Sequence, residues 1–188
     1  MMIQRANRLF PVALVILMAL MTLWLDQVSR LGSFGRELDP DKPEYVSEKV
    51  TATRFDLQGR IQQRLIADRL WQYPQQHDLY FDNGFVRVFK NGVLDYAVTA
   101  ETGHYNTQTK QAFFDRRVHL LKPAVATEPE TTLDTSAMSL DAVKHYASSQ
   151  MPVQIHYGNS TANSTGFNYD YNAGTLNLLS FARVTYVQ

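Results

Sequence analysis

The residues best suited to chemistry are scattered along this chain. Five histidines, His77, His104, His119, His145 and His156, lie 27, 15, 26 and 11 residues apart. None falls in the HExxH helix pattern that sets two imidazoles on one metal. They read as solvent-facing or hydrogen-bonded histidines rather than a metal or acid–base site. Ser160, Ser164 and Ser180 lie in no GxSxG nucleophile elbow, and no glycine-rich loop ends in the Lys-Ser/Thr pair that cradles phosphate. The absence of cysteine removes thiol nucleophiles, thiolate metal sites and disulfides. Neither enzymatic activity nor a cofactor is expected. Binding remains: the chain holds ten Tyr and ten Phe among many aliphatic residues. An interior wide enough to be lined by Leu, Ile, Val and Phe also accepts acyl chains, at roughly 0.8 kcal/mol per buried CH₂. Several chains then give micromolar or tighter affinity after the ordering cost.

Such a lining needs a scaffold, and 188 residues supply one domain of ordinary size. A stretch near the start belongs to another physical class. Residues 9–25 carry no charge over 17 positions, between Arg8 and Asp26. At about 1.5 Å per residue this falls slightly short of a ~30 Å hydrocarbon core, so Ala6 and Asn7 join the span and Arg8 snorkels to the headgroups. A cleaved signal peptide is the rival, but Thr22-Leu23-Trp24-Leu25-Asp26 holds no small-x-small cleavage site. A soluble core helix is the third reading. Arg5 and Arg8 precede the span and Asp26 follows it, which keeps residues 1–8 in the cytoplasm and puts everything after the span outside. Arg5 and Arg8 are the only charges before Asp26, so the remainder holds 16 basic and 18 acidic residues, a formal −2, with no basic run. That argues against nucleic acid.

Residues 26–44 are polar, with Gly32, Gly35, Pro40 and Pro43, and read as a tether that begins with a short helix. The folded domain is expected over 45–188. There the period is two: Val86 and Val88 with Phe85 and Phe89 form a strand, Asn91-Gly92 a tight hairpin turn after it, and Asp82-Asn83-Gly84 a turn before it. Ile61, Leu65 and Ala67 share one face of an extended chain, with helix an equal competitor by local pattern. A repeat favours strand. The small residues Ala67, Ala100, Thr135 and Gly166 recur at intervals of 33, 35 and 31, and each is followed 18 or 19 positions later by Val86, Val118, Val153 or Val184. Two residues further stand Val88, Leu120, Ile155 and Tyr186. Such a unit marks stacked pieces that bury their apolar faces on one another, here a layered all-β structure. Residues 122–132, with Pro123 and Pro129, are expected to form a loop. Residues 158–166, only Gly, Ala, Asn, Ser and Thr, are expected to form a long mobile hairpin tip. The last strand of such a sheet offers unpaired backbone groups, which makes Val184 and Tyr186 a candidate docking edge.

The phrases FDLQGRIQQRLIADRLWQY, YAVTAETGHY, RRVHLLKP, LDTSAMSLD, MPVQIHYG and STGFNYDYNAGTLNLLSFARVTY, in this order and spacing, resemble the LptC family, the membrane-anchored component of the lipopolysaccharide export machinery with an OstA-like exported domain. The resemblance implies a twisted, open β-jelly roll of two antiparallel sheets behind one N-terminal transmembrane helix, with the domain in the periplasm and the anchor in the inner membrane. It implies that lipopolysaccharide is accepted from an inner-membrane ABC transporter at the N-terminal edge. The lipid is then passed to a soluble periplasmic bridge protein at the C-terminal edge. A glycine tied to assembly in the family matches Gly166. Where the family's first strand carries an aromatic, this chain has Gln63, which implies a polar intrusion or a local shift. The candidate groove lining is Ile61, Leu65, Ala67, Val86, Val88, Tyr96, Val98, Val118, Leu120, Leu133, Val153 and Ile155. Period two does not say which face is inside. The alternative function is an envelope scaffold that binds no lipid.

Overall fold

The computed structural model describes residues 3–32, 39–126 and 128–187, with side chains of the helix described over 14–28. Residues 1–2 and 33–38, part of the expected N-terminal segment and tether, and the side chains of Arg5 and Arg8 lie outside the described residues. Two compact units divide near Asp39. The first contains α1 (Ile3–Gly32), whose apolar side chains from Leu14 to Val28 are exposed. Those described side chains cover about 22 Å of helix axis, and among the described residues no helix is both long and apolar enough to cross a membrane.

The second unit is all-β. Its strands are β1 (Tyr45–Phe55), β2 (Ile61–Gln72), β3 (Asp78–Lys90), β4 (Val93–Asn106), β5 (Gln111–Lys122), β6 (Thr131–Asp141), β7 (Tyr146–Tyr157), β8 (Ser160–Asp170) and β9 (Thr175–Thr185). They pair antiparallel in sequence order, so β1 and β9 are the two edges. Short turns impose this order. Asn91 and Gly92 take φ of 54° and 80°, the tight hairpin expected from that pair. Three turns at the opposite strand ends share one chemistry: Asn106, Asp141 and Asp170 each accept two backbone N–H bonds from the residues two and three on. Four positions after each comes a left-handed residue, Lys110, His145 or Gly174. The sequence repeat is therefore one hairpin, two strands and their turns, with the small residues on even strands and the valines on odd ones.

One hydrogen-bonded sheet stands where two were expected. Each long strand serves both layers because it is bent in the middle. Five successive ladders, from β4–β5 to β8–β9, shift register at mid-strand. Positive φ at Lys49, Asn83, Arg116, Arg117, Gly166 and Phe181 follows the same line across the sheet. Bulges of this kind bend a strand and raise its twist without ending it. This corrects two readings. Asp82-Asn83-Gly84 lies inside β3, since the polar triplet is a bend and not a strand end. Residues 160–166 lie inside β8, and only Gly158 and Asn159 separate β7 from β8. Ser164 to Gly166 sit at the bend, where the Ser164 hydroxyl donates to the Gly166 carbonyl at 2.9 Å. The expected loop over 122–132 is shorter than predicted: Lys122 closes β5, Thr131 opens β6, and Val125 and Glu128 form an isolated bridge between them.

The bend brings the strand halves onto one core. Val98, Val118, Leu133, Val153 and Ile155 from one half pack in the same cluster as Phe81, Phe114, Met138, Ala147 and Phe167 from the other. The Phe81 ring lies over Gly103, at the position a Cβ would take. Bending a sheet frees backbone carbonyls, and buried hydroxyls take them up: Thr135 donates to Pro152 O at 2.9 Å and Ser149 to Ala137 O at 2.6 Å. Among the described residues no buried side-chain polar atom lacks a partner, as a stable interior requires.

Candidate functional site: an aliphatic row across the roll

Eight consecutive ladders place one residue from every strand in a single row: Ala52, Leu65, Val86, Val98, Leu120, Leu133, Ile155, Ala162 and Val184. Every member is aliphatic. From β4 to β9 the adjacent row on the opposite face is polar, Thr99, His119, Asp134, Gln154, Asn163 and Arg183, whereas in β2 and β3 the same row holds Ile66 and Phe85. The aliphatic face is thus the inner one, which alternation alone left open. His119 Nδ1 meets Asp134 Oδ1 at 2.7 Å on the outer face. Beside them a concavity of about 660 Å³ is lined by Arg117, Gln154 and Asn163 together with Val118, Pro152 and Val153. Among the described residues no group of His, Asp or Glu has the arrangement of a metal site.

Burial varies along the row. Val98 is wholly buried, and Leu133 and Ile155 are 7% and 5% exposed, so their own neighbours fill the centre. Towards β1, Leu65 and Val86 are half-buried, and at β9 Val184 is 62% exposed. The inner surface therefore emerges at both edges of the sheet.

The sequence-derived lining divides accordingly. Leu65, Val86, Val98, Leu120, Leu133 and Ile155 are members of this row. Val118 and Val153 flank Thr135 in the next row towards the bend. Val88 pairs with Tyr96 in the row on the other side, and Tyr96 packs against the core. Ala67 is buried at the bend, opposite Val50. Ile61 is half-buried at the start of β2, next to the register shift at Arg54 and Phe55. Gln63 faces the same way as Leu65 and stands opposite Val88, and its β1 partner Arg54 adjoins a register shift. Val184 lies in β9, whereas Tyr186 lies just past its end, 73% exposed. Gly166 is buried with φ of 81°, and a Cβ there would come within 2.8 Å of Leu179 Cδ1 and 3.1 Å of Ser149 O.

The facing half of the interior escaped sequence reading. Leu70, Phe81, Gly103, Phe114 and Met138 form a second row through successive ladders. Its signal was an apolar period on the far side of polar residues that resemble strand ends, after Asp68 in β2 and before Asp82 in β3 and Asp115 in β5.

Two tyrosines near the strand ends have strongly perturbed hydroxyls. Burial first, then the Asp95 carboxylate, pushes Tyr96 up to about 12. Burial and the hydrogen bond to Asp95 push Tyr171 up to about 12.

An antiparallel sheet bent on itself, with an aliphatic inner row and an unpaired strand at each edge, defines a jelly-roll-like β protein. The chain belongs to the LptC-related family of lipopolysaccharide-assembly proteins, whose model matches residues 11–187. It therefore has a role in lipopolysaccharide transport. No curated protein sequence matches it significantly. Among solved structures its fold is similar to LptH of Pseudomonas aeruginosa, described as the LptA-homologous periplasmic component of the conserved lipopolysaccharide transport device. The TM-score is 0.56 at 10% identity, over 67% of this chain and 95% of that one. That likeness bears on the fold alone.

Proposed function

We propose that the chain is a non-catalytic lipid-transfer protein. It accepts lipopolysaccharide from an inner-membrane ABC transporter docked at β1 and passes it to a soluble periplasmic bridge protein docked at β9. The observation that carries this reading is the unbroken aliphatic row from Ala52 on one edge strand to Val184 on the other. Acyl chains laid along it meet CH₂ and CH₃ groups at every step, and an edge-docked roll of similar fold would continue the row. Both edge strands expose apolar side chains, Val46 and Phe55 on β1, Leu179 and Phe181 on β9. Edge pairing with a neighbouring sheet would cover such groups. Energy must come from the transporter, because this chain carries no phosphate-binding loop.

In the same reading α1 anchors the chain in the inner membrane through residues 9–25, with residues 1–8 in the cytoplasm, 26–44 as tether and 45–188 in the periplasm. The uncharged run and the exposed faces of Leu14 to Leu25 support this, since apolar side chains turned outward call for lipid around them.

The filled centre around Val98 favours the second reading, a scaffold that only spaces other envelope proteins. The two separate at the half-buried end of the row. Leu65→Gln keeps side-chain volume and places an amide where acyl chains would lie. Transfer from transporter to soluble partner is expected to stop while the far-ultraviolet circular dichroism spectrum is unchanged. A scaffold would transfer as before.

A further inference from the structure

The backbone ladders join only sequence neighbours, so the bent sheet closes opposite its bend along a seam with no ladder across it. Side chains tie this seam. Tyr171, opening the β8–β9 turn, donates its hydroxyl to Asp95 near the start of β4 at 2.9 Å, across 76 residues of sequence. Lys90 Nζ lies 5.5 Å from the centre of the same tyrosine ring. The bond joins β4 to the β8–β9 turn, between strands that share no backbone ladder. Tyr96, next to Asp95, packs against the core behind this bond. Lys122 is close enough to Asp95, Tyr169 and Tyr171 to interact electrostatically with all three.

The buried centre sets the problem. Val98, Leu133 and Ile155 are covered, so a guest reaches them only if the two layers part. Parting at the bend would break strands, and parting between strands would break a backbone ladder. Parting at the seam breaks no backbone ladder: it costs the Tyr171–Asp95 hydrogen bond, the Lys90 and Lys122 contacts and the packing of the two layers on their shared core.

We propose that the acyl chains of an amphipathic lipid enter the roll sideways through the seam beside Asp95 and Tyr171, and that the bond between these residues, with Lys90 on the ring, is the latch that releases first. This rests on the reading of the interior as a lipid path and adds where the path opens.

The chain has no cysteine, so a pair introduced at the seam is unique. The full chain carrying Asp95→Cys and Tyr171→Cys is bridged with a short bis-maleimide containing a cleavable disulfide, and uptake of labelled lipopolysaccharide is followed. The bridged chain is expected to take up almost none, and reductive cleavage of the bridge is expected to restore uptake. Uptake by the bridged chain equal to that of the unbridged one overturns the latch. Tyr171→Phe keeps the ring on Lys90 and removes only the bond. With one such bond gone, the loading rate is expected to rise about fivefold; an unchanged or lower rate counts against the proposal. Failure of the lipid path itself looks different, because wild type and unbridged variant then both take up nothing.

Discussion

Lys49 in β1 and Phe181 in β9, at opposite edges of one nine-stranded sheet, share the same left-handed backbone, with φ of 51° and 50°. They are the two ends of the bend that folds the sheet into a roll. If a neighbouring sheet docks on either edge as proposed, its own edge strand must bend at the same place to keep the ladder continuous.

Phe181 carries this argument furthest, because a bulky residue at positive φ is strained by ~1–3 kcal/mol and its ring is 90% exposed. Phe181→Gly removes the strain and gives back part of it as chain entropy, for a net gain of about 1 kcal/mol and roughly 3 °C in Tm. Binding of the soluble partner is expected to weaken in the same variant. A thermal melt and a calorimetric titration measure the two; a variant that is both less stable and equally well bound contradicts the assignment.

Gly166 holds the bend of β8 against β9. Gly166→Ala puts a Cβ within 2.8 Å of Leu179 and forces a left-handed alanine, a loss of about 2 kcal/mol. The damage is expected at the docking edge, as faster amide hydrogen exchange in β9 than in wild type. Exchange unchanged in β9 but faster in β2 would refute this.

The edges can be tested separately because seven strands lie between them. Val184→Pro removes one N–H from β9, and loss of the soluble partner with retention of the transporter contact is the expected result. Equal loss of both contacts from a folded variant would reject the assignment of edges.

Alkaline pH probes the seam. Tyr96 and Tyr171, raised to about 12 when folded, ionise near 10 in the unfolded chain. Their contribution to stability is whole below pH ~10 and is lost as pH climbs through ~12, since only the unfolded state gives up these protons in between. Melts at rising pH, with tyrosinate absorbance recorded alongside, should show the fall and its softening in Tyr171→Phe. Complete ionisation near pH 10 with the fold intact would contradict the buried seam.

Much of this was legible from local chemistry. Asn91-Gly92 specified its hairpin, and the spacing of Ala67, Ala100, Thr135 and Gly166 marked the hairpin repeat, because turn geometry and small residues at a bend are local demands. The bend itself was not legible. Asp82-Asn83-Gly84 and Ser160 to Gly166 have the composition of turns, and only tertiary closure turns them into the middle of a strand. For the same reason one sheet looked like two, and the facing row of Phe81, Phe114 and Met138 went unread. The outward direction of His119 and Gln154 emerged only with the register.

The central claim is that lipid travels along the inner row and nowhere else on the domain. Photo-reactive residues placed at Leu65, Val98 and Ile155 on the inner row, and at Arg64, His119 and Gln154 on the outer face, test it during active transport. The account predicts lipopolysaccharide adducts from the first three and none from the second three. Adducts from both sets alike, or from neither, would contradict it.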